Sequence, residues 1–125
     1  MTANELRIGN WVLHTNGNGD FTFEIEEILA KGINVVHNGG IWFIKYEYIE
    51  PITITPEILE KCGFDYDASY DVPKVQKGNF ILWGYENEFG ANFGHIEQLD
   101  VSVKHLHQLQ NLYFALCGEE LNVQL

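Results

Sequence analysis

Residues 102–124, S-V-K-H-L-H-Q-L-Q-N-L-Y-F-A-L-C-G-E-E-L-N-V-Q, carry the pattern that decides the fold. At about 100° per residue, Val103, Leu106, Leu109, Leu112, Tyr113, Phe114, Leu116 and Cys117 fall on one arc of roughly 200°. Lys104, His107, Gln108, Asn111 and Ala115 occupy the remaining stripe. An apolar arc that wide exceeds the usual stripe of about 100° and predicts cover from more than one side. Ser102 reads as the N-cap and Gly118 as the residue that ends the helix. The stretch predicts a long, packed C-terminal helix. His105 and Gln110 fall inside its apolar arc, and buried polar side chains need partners. They are expected either to hold the helix to its sheet or, with Tyr113, to line a pocket beneath it.

Before this helix, residues 79–86 and 89–97 read as a hairpin around Asn87, with bulges or close packing expected at Gly84, Gly90 and Gly94. Residues 64–78 read as a loop with a strand fragment at 70–72. Thr55, Pro56 and Glu57 supply a cap, a first-turn proline and a first-turn carboxylate, so a short helix is expected to run to Cys62 and Gly63.

The first half reads as strands. Residues 7–14 form one, and residues 15–20 (T-N-G-N-G-D) are turn-rich. Phe21, Phe23 and Ile25 alternate with Thr22, Glu24 and Glu26, the period of a half-buried strand. Residues 33–37 and 41–48 flank Asn38-Gly39-Gly40, a hairpin signal. In the second arm Trp42, Ile44, Tyr46 and Tyr48 are expected on one face. The fold class is α+β in one domain, residues 1–125. Its N-terminal β part is 1–54, the short helix is 55–63, and the hairpin with the C-terminal helix fills 64–125 in the same core. The N-terminal strands fit a small bent antiparallel sheet or an SH3-like barrel.

Charge narrows the function. Eighteen Asp and Glu against seven Lys and Arg give a formal charge of −11 in 125 residues. Binding phosphate backbones or anionic lipid needs clustered basic surface, so neither direct nucleic-acid binding nor membrane docking is expected. No apolar run approaches the ~20 residues that cross a bilayer. The opening residues M-T-A-N-E-L-R have neither a basic nor an apolar signal region, and Cys62 and Cys117 stand alone. A cytoplasmic protein with reduced thiols is expected.

Candidate chemistry is sparse. His95, His105 and His107 lie near Glu97 and Asp100, and such a set can bind zinc. Two helical residues apart, His105 and His107 would point about 200° from each other and could not share an ion. There is no H-E-x-x-H, C-x-x-C or G-x-S-x-G, and no glycine-rich phosphate loop. Cys62 at a helix C-terminus meets the dipole end that raises a thiol pKa. No enzyme, cofactor or metal is expected. A metal-assisted hydrolase using His95, Glu97 and His107 is the weakest alternative.

Aromatic residues point elsewhere. Trp11, Trp42, Tyr46, Tyr48, Trp83, Tyr85 and Tyr113 exceed what a core of this size buries, so some are expected at the surface. Exposed aromatics on an acidic chain suit a protein partner. The leading expectation is a non-enzymatic protein that binds another protein, with Trp42, Tyr46 and Trp83 as contacts; exposed strand edges also allow a homodimer. The alternative is a small-ligand or sequestering protein whose pocket under the C-terminal helix uses His105, Gln110 and Tyr113.

Three stretches also carry a resemblance. N-E-L-R-I-G-N-W-V at residues 4–12, P-I-T-I-T-P-E-I-L-E-K-C-G-F at 51–64 and H-Q-L-Q-N-L-Y-F-A-L-C-G-E-E-L at 107–121 resemble a family of short proteins from Bacteroidetes genomes and their associated phages and mobile elements. Cys117 stands where that family's motif would have Thr. The family brings no established activity, cofactor or catalytic residue. The resemblance implies a cytoplasmic accessory protein of phage or mobile-element origin.

Overall fold

A computed structural model describes residues 1–15, 19–67, 74–85, 88–93 and 102–125. The fold is mixed α+β, and the chain divides into two compact units, Met1–Ile52 and Thr53–Leu125.

The first unit is a strand meander. After a 3-10 turn at Ala3–Glu5 come β1 (Trp11–Thr15), β2 (Asp20–Ile28), β3 (Gly32–His37), β4 (Gly40–Lys45), a 3-10 turn at Tyr46–Tyr48, and β5 (Ile49–Glu50). All pairings are antiparallel, in the order β4-β3-β2-β1-β5. Long β2 serves both halves of the sheet, pairing β1 along its first part and β3 along its second. The register shifts between Ile25 and Glu27, and such a bulge bends a strand. Among the described residues nothing pairs β4 with β5, so the sheet is bent and open, and the barrel alternative is not realised as a closed ladder. Its inner face buries Leu6, Val12, Ile25, Ile33, Val35, Ile44 and Ile49 in one aliphatic core.

Local chemistry sets the boundaries. The first strand starts at Trp11, later than periodicity suggests, because Asn10 folds residues 7–10 into a turn. Its Oδ1 accepts the Arg7 N–H at 2.8 Å, and Gly9 takes φ +93°. The β3–β4 connection is the expected hairpin. Asn38 and Gly39 adopt φ +50° and +78°, the left-handed pair of a two-residue type I′ turn. β4 ends at Lys45, so Tyr46 and Tyr48 lie in the 3-10 turn that follows and outside the strand.

The second unit contains α1 (Pro56–Lys61), β6 (Asp65–Asp67), β7 (Lys74–Lys77), β8 (Phe80–Tyr85), β9 (Glu88–Phe93), β10 (Ser102–Val103) and α2 (Leu106–Cys117). Its strands lie in the order β10-β9-β8-β7-β6. Thr55 caps α1 as expected, its Oγ1 accepting the Ile58 N–H at 3.3 Å, and Gly63 takes φ +85° just beyond the helix. The predicted hairpin is β8–β9. Its register runs unbroken from Phe80↔Phe93 to Tyr85↔Glu88, so Gly84 and Gly90 are ladder positions and not bulges. The expected strand fragment at 70–72, the turn residue Asn87, and Gly94 lie outside the described residues.

The terminal helix is shorter than its periodicity. Ser102 and Val103 pair with Gly90 and Phe89 as an edge strand, and His105 becomes the N-cap, extended at φ −121° and ψ 148°. Gln108 stabilises this start, its Oε1 accepting the His105 and Lys104 N–H groups at 3.1 and 3.2 Å. Gly118 closes the helix at φ +73°. Leu106, His107, Leu109, Gln110 and Tyr113 are buried, whereas Phe114 and Ala115 are exposed. At about 100° per residue these buried positions span roughly 160°, a broad arc as expected, but it takes in His107, which the periodicity puts on the polar stripe.

Candidate functional site

The inner face of the first unit continues past its aliphatic core into aromatic residues. On β2 the residues Phe21, Phe23 and Ile25 share that face. Ile25 lies in the core, Phe23 is half-buried and Phe21 is exposed. Register places His14 of β1 opposite Phe21, and Trp42 of β4 opposite Val35. The rings then touch in series. His14 and Phe21 each lie 6.3 Å from Phe23, His37 meets Phe23 edge-on at 5.3 Å, and Trp42 meets His37 at 6.3 Å. The Trp42 indole is fixed by its Nε1–H donating to the His37 carbonyl at 3.2 Å.

These rings line a groove of about 400 Å³, completed by Phe43, Ile44, Lys45 and Tyr48. Trp42 is 58 % exposed, Tyr48 53 % and Phe21 41 %, so three large rings stand open to water on one concavity. Phe43 and Lys45 alternate with Trp42 and Ile44 and so point to the opposite face. The Phe43 ring lies there against Gly32, where an added Cβ would come within 2.8 Å of its Cζ. Their presence in the groove wall fits a groove that reaches the free edge of β4 and is lined there by main chain.

The groove's polar side-chain groups are few: two imidazoles, the Tyr48 hydroxyl and the Trp42 indole, whose N–H is held by the His37 carbonyl. It holds no carboxylate and no nucleophilic thiol or aliphatic hydroxyl among its lining residues. Such a surface recognises apolar and flat groups.

The residues expected to form a site are dispersed. Trp42 is in the groove. Tyr46 is not; its hydroxyl donates to the Leu29 carbonyl and ties β4's end to the β2–β3 turn. Trp83 sits in β8 of the other unit with the Lys74 ammonium 5.5 Å from its ring centre. Gln110 is buried on α2, and Tyr113 packs edge-on against Phe80 at 5.3 Å, with Lys77 Nζ 5.7 Å from its ring centre. His105 and His107 stack at 5.9 Å with their planes 12° apart. The expected divergence of those two rings fails because His105 precedes the helix, where helical angles do not apply.

Burial governs the thiols. The Cys62 thiol is pushed up to about 11 by desolvation, which the nearby Lys77 ammonium only partly offsets. Lys77 Nζ also donates to the Cys62 carbonyl at 2.9 Å. Cys117 is raised as well, by burial and then by Glu119. At neutral pH both are protonated and weakly nucleophilic. Among the described residues no three His, Cys, Asp or Glu side chains gather as a metal site requires; His95, Glu97 and Asp100 lie outside them. No described helix is long and apolar enough to cross a membrane.

Sequence reasoning named none of His14, Phe21, Phe23, His37 and Tyr48 as contact residues, although it set Tyr48 on one face with Trp42. One signal was available: a strand face that reads Phe21, Phe23, Ile25 carries two aromatic rings past an otherwise aliphatic core. Comparison with known protein families, curated proteins and solved structures found no match, so the site rests on its own chemistry.

Proposed function

We propose that this chain is a non-enzymatic recognition protein that holds part of another protein in the aromatic groove of its first unit. One observation carries the reading: Trp42, Tyr48 and Phe21 leave 58, 53 and 41 % of their surface in water while lining one concavity. Aromatic rings exposed singly are ordinary, but rings gathered in a groove mark a contact site. Charge sets the partner's character. Residues 1–52 carry seven Asp and Glu against three Lys and Arg, within a chain of net charge −11. A basic partner is drawn in, and nucleic acid is repelled. The resemblance of the terminal motif to that of phage-associated proteins supports an accessory role of this kind.

Site-specific photo-crosslinking in cells tests this directly. Benzoylphenylalanine installed at Trp42 or at Tyr48 is expected to trap the same single partner, and installed at Tyr66 to trap none. Adducts that are absent from both groove positions, or equally abundant from Tyr66, would refute the groove.

A second reading has one observation behind it. A groove of about 400 Å³ falls within the range that holds small ligands. A thermal-shift screen of aromatic metabolites separates the two, because a ligand that fills the groove raises the melting temperature and loses that effect in Trp42→Ala.

A further inference from the structure

The groove ends at a strand edge, and that edge differs from the others. A sheet edge exposes unpaired N–H and C=O groups, which proteins blunt by shortening the strand or charging it. Of the four edges of the two sheets, β5 and β10 are two residues long, and β6 is the acidic tripeptide Asp65-Tyr66-Asp67. β4 is six residues long and reads G-I-W-F-I-K, with no proline and one charge at its end. It is the one edge left open to pairing among the described residues.

Its hydrogen-bond phase can be fixed. His37↔Gly40 closes a two-residue turn, and the Tyr46 N–H donates to the Lys31 carbonyl. In an antiparallel ladder bonded positions alternate, so Gly40, Trp42 and Ile44 bond inward to β3. The main-chain groups of Ile41, Phe43 and Lys45 therefore point away from the sheet. Both faces flanking this edge are apolar. Trp42 lies on the groove side, and Val36, Ile41 and Phe43 are exposed on the reverse, with Ile41 at 74 %.

We propose that β4 pairs with an extended segment of a basic partner protein, which adds to the sheet as a sixth strand. Alternate apolar side chains of that segment enter the aromatic groove. The others cover Ile41 and Phe43, and flanking Lys or Arg residues meet the acidic surface. Strand addition supplies affinity through main-chain bonds and specificity through pockets for alternate side chains. A second copy of this chain is disfavoured as the occupant, because it brings another net charge of −11. The inference rests on the groove reading above and adds its mode of recognition.

The test uses the full chain and a displayed library of random 12-residue peptides, panned at low salt. The enriched peptide, labelled with a fluorophore, is titrated against the wild type, Ile41→Pro, Ile41→Thr and Trp42→Ala. Ile41→Pro deletes an outward N–H and leaves the β3 ladder intact, a position where an edge strand tolerates proline. It is expected to weaken binding about tenfold, while Ile41→Thr, which keeps the N–H, stays within about threefold. N-methylation of the peptide at alternate residues, which needs no protein variant, is expected to abolish binding in one phase and spare it in the other. If Trp42→Ala loses binding but Ile41→Pro and every N-methylated peptide bind normally, strand addition is wrong and the groove reading stands. If no peptide is enriched, or enriched peptides bind Trp42→Ala undiminished, both fall. Self-association of the chain that Ile41→Pro abolishes would assign the edge to a second copy and overturn the proposal.

Discussion

Gly32 shows how a single position fixes the groove's scaffold. An added Cβ there would come within 2.9 Å of the Ile44 carbonyl carbon and 2.8 Å of Phe43 Cζ. β4 cannot lie so close to β3 at that point with any other residue. Gly32→Ala is expected to destabilise the protein by roughly 1–3 kcal/mol, seen as a lower melting temperature, because backbone and not a flexible side chain blocks the new methyl. Cys62 gives a second residue-scale prediction. Its folded-state pKa of about 11 lies above the value of 9.0 for an unperturbed thiol. The unfolded chain therefore releases this proton first as pH rises. The stability that Cys62 contributes is intact below pH 9.0 and is lost as pH climbs through about 11. Melting curves of the wild type should fall over that window more steeply than those of Cys62→Ala, and alkylation at neutral pH should be slow.

At the scale of elements, the short signals were the legible ones. Thr55-Pro56-Glu57 predicted α1 because a cap, a fixed φ and a first-turn carboxylate act within one turn, and Thr55 does accept the Ile58 N–H. Thr55→Ala is expected to cost about 1 kcal/mol in chemical denaturation. Asn38-Gly39 predicted the β3–β4 hairpin for the same reason: a left-handed turn is a property of the two residues that make it. The misreadings came where tertiary pairing overrode a local period. Ser102 resembles an N-cap, yet β9 recruits it into a ladder, and the helix starts after His105. Tyr46 and Tyr48 continue the alternation of β4, yet the chain turns at Lys45 to reach β5. Neither pairing is encoded near the residues it displaces.

The site was harder to read than the fold, and Tyr46 and Trp42 show why. Both are aromatic residues near the end of one strand. That Trp42 lines a groove while Tyr46 secures a turn follows from β4 ending at Lys45 between them. Which edge stays open is likewise a property of the assembled sheets, since β4 is conspicuous only beside three short or charged edges.

For the whole molecule, charge is the controlling quantity. A chain of net charge −11 that binds a basic segment gains attraction at long range, and salt screens it. Affinity for the panned peptide is expected to fall steadily between low and physiological ionic strength, mainly through slower association. Apolar contacts in the groove should leave a residual affinity that salt does not remove. A salt-independent affinity would count against the acidic surface as a partner-steering feature.

Amide-resolved hydrogen exchange on the full chain, with and without the panned peptide, reads strand addition at β4 residue by residue. In the free protein the Trp42 and Ile44 amides are predicted to be protected by their bonds to β3, while those of Ile41, Phe43 and Lys45 exchange freely. With peptide bound, the latter three become protected together, and the α2 amides do not change. Protection that rises in α2, or a bound state in which the Ile41, Phe43 and Lys45 amides still exchange freely, would rule out pairing at β4.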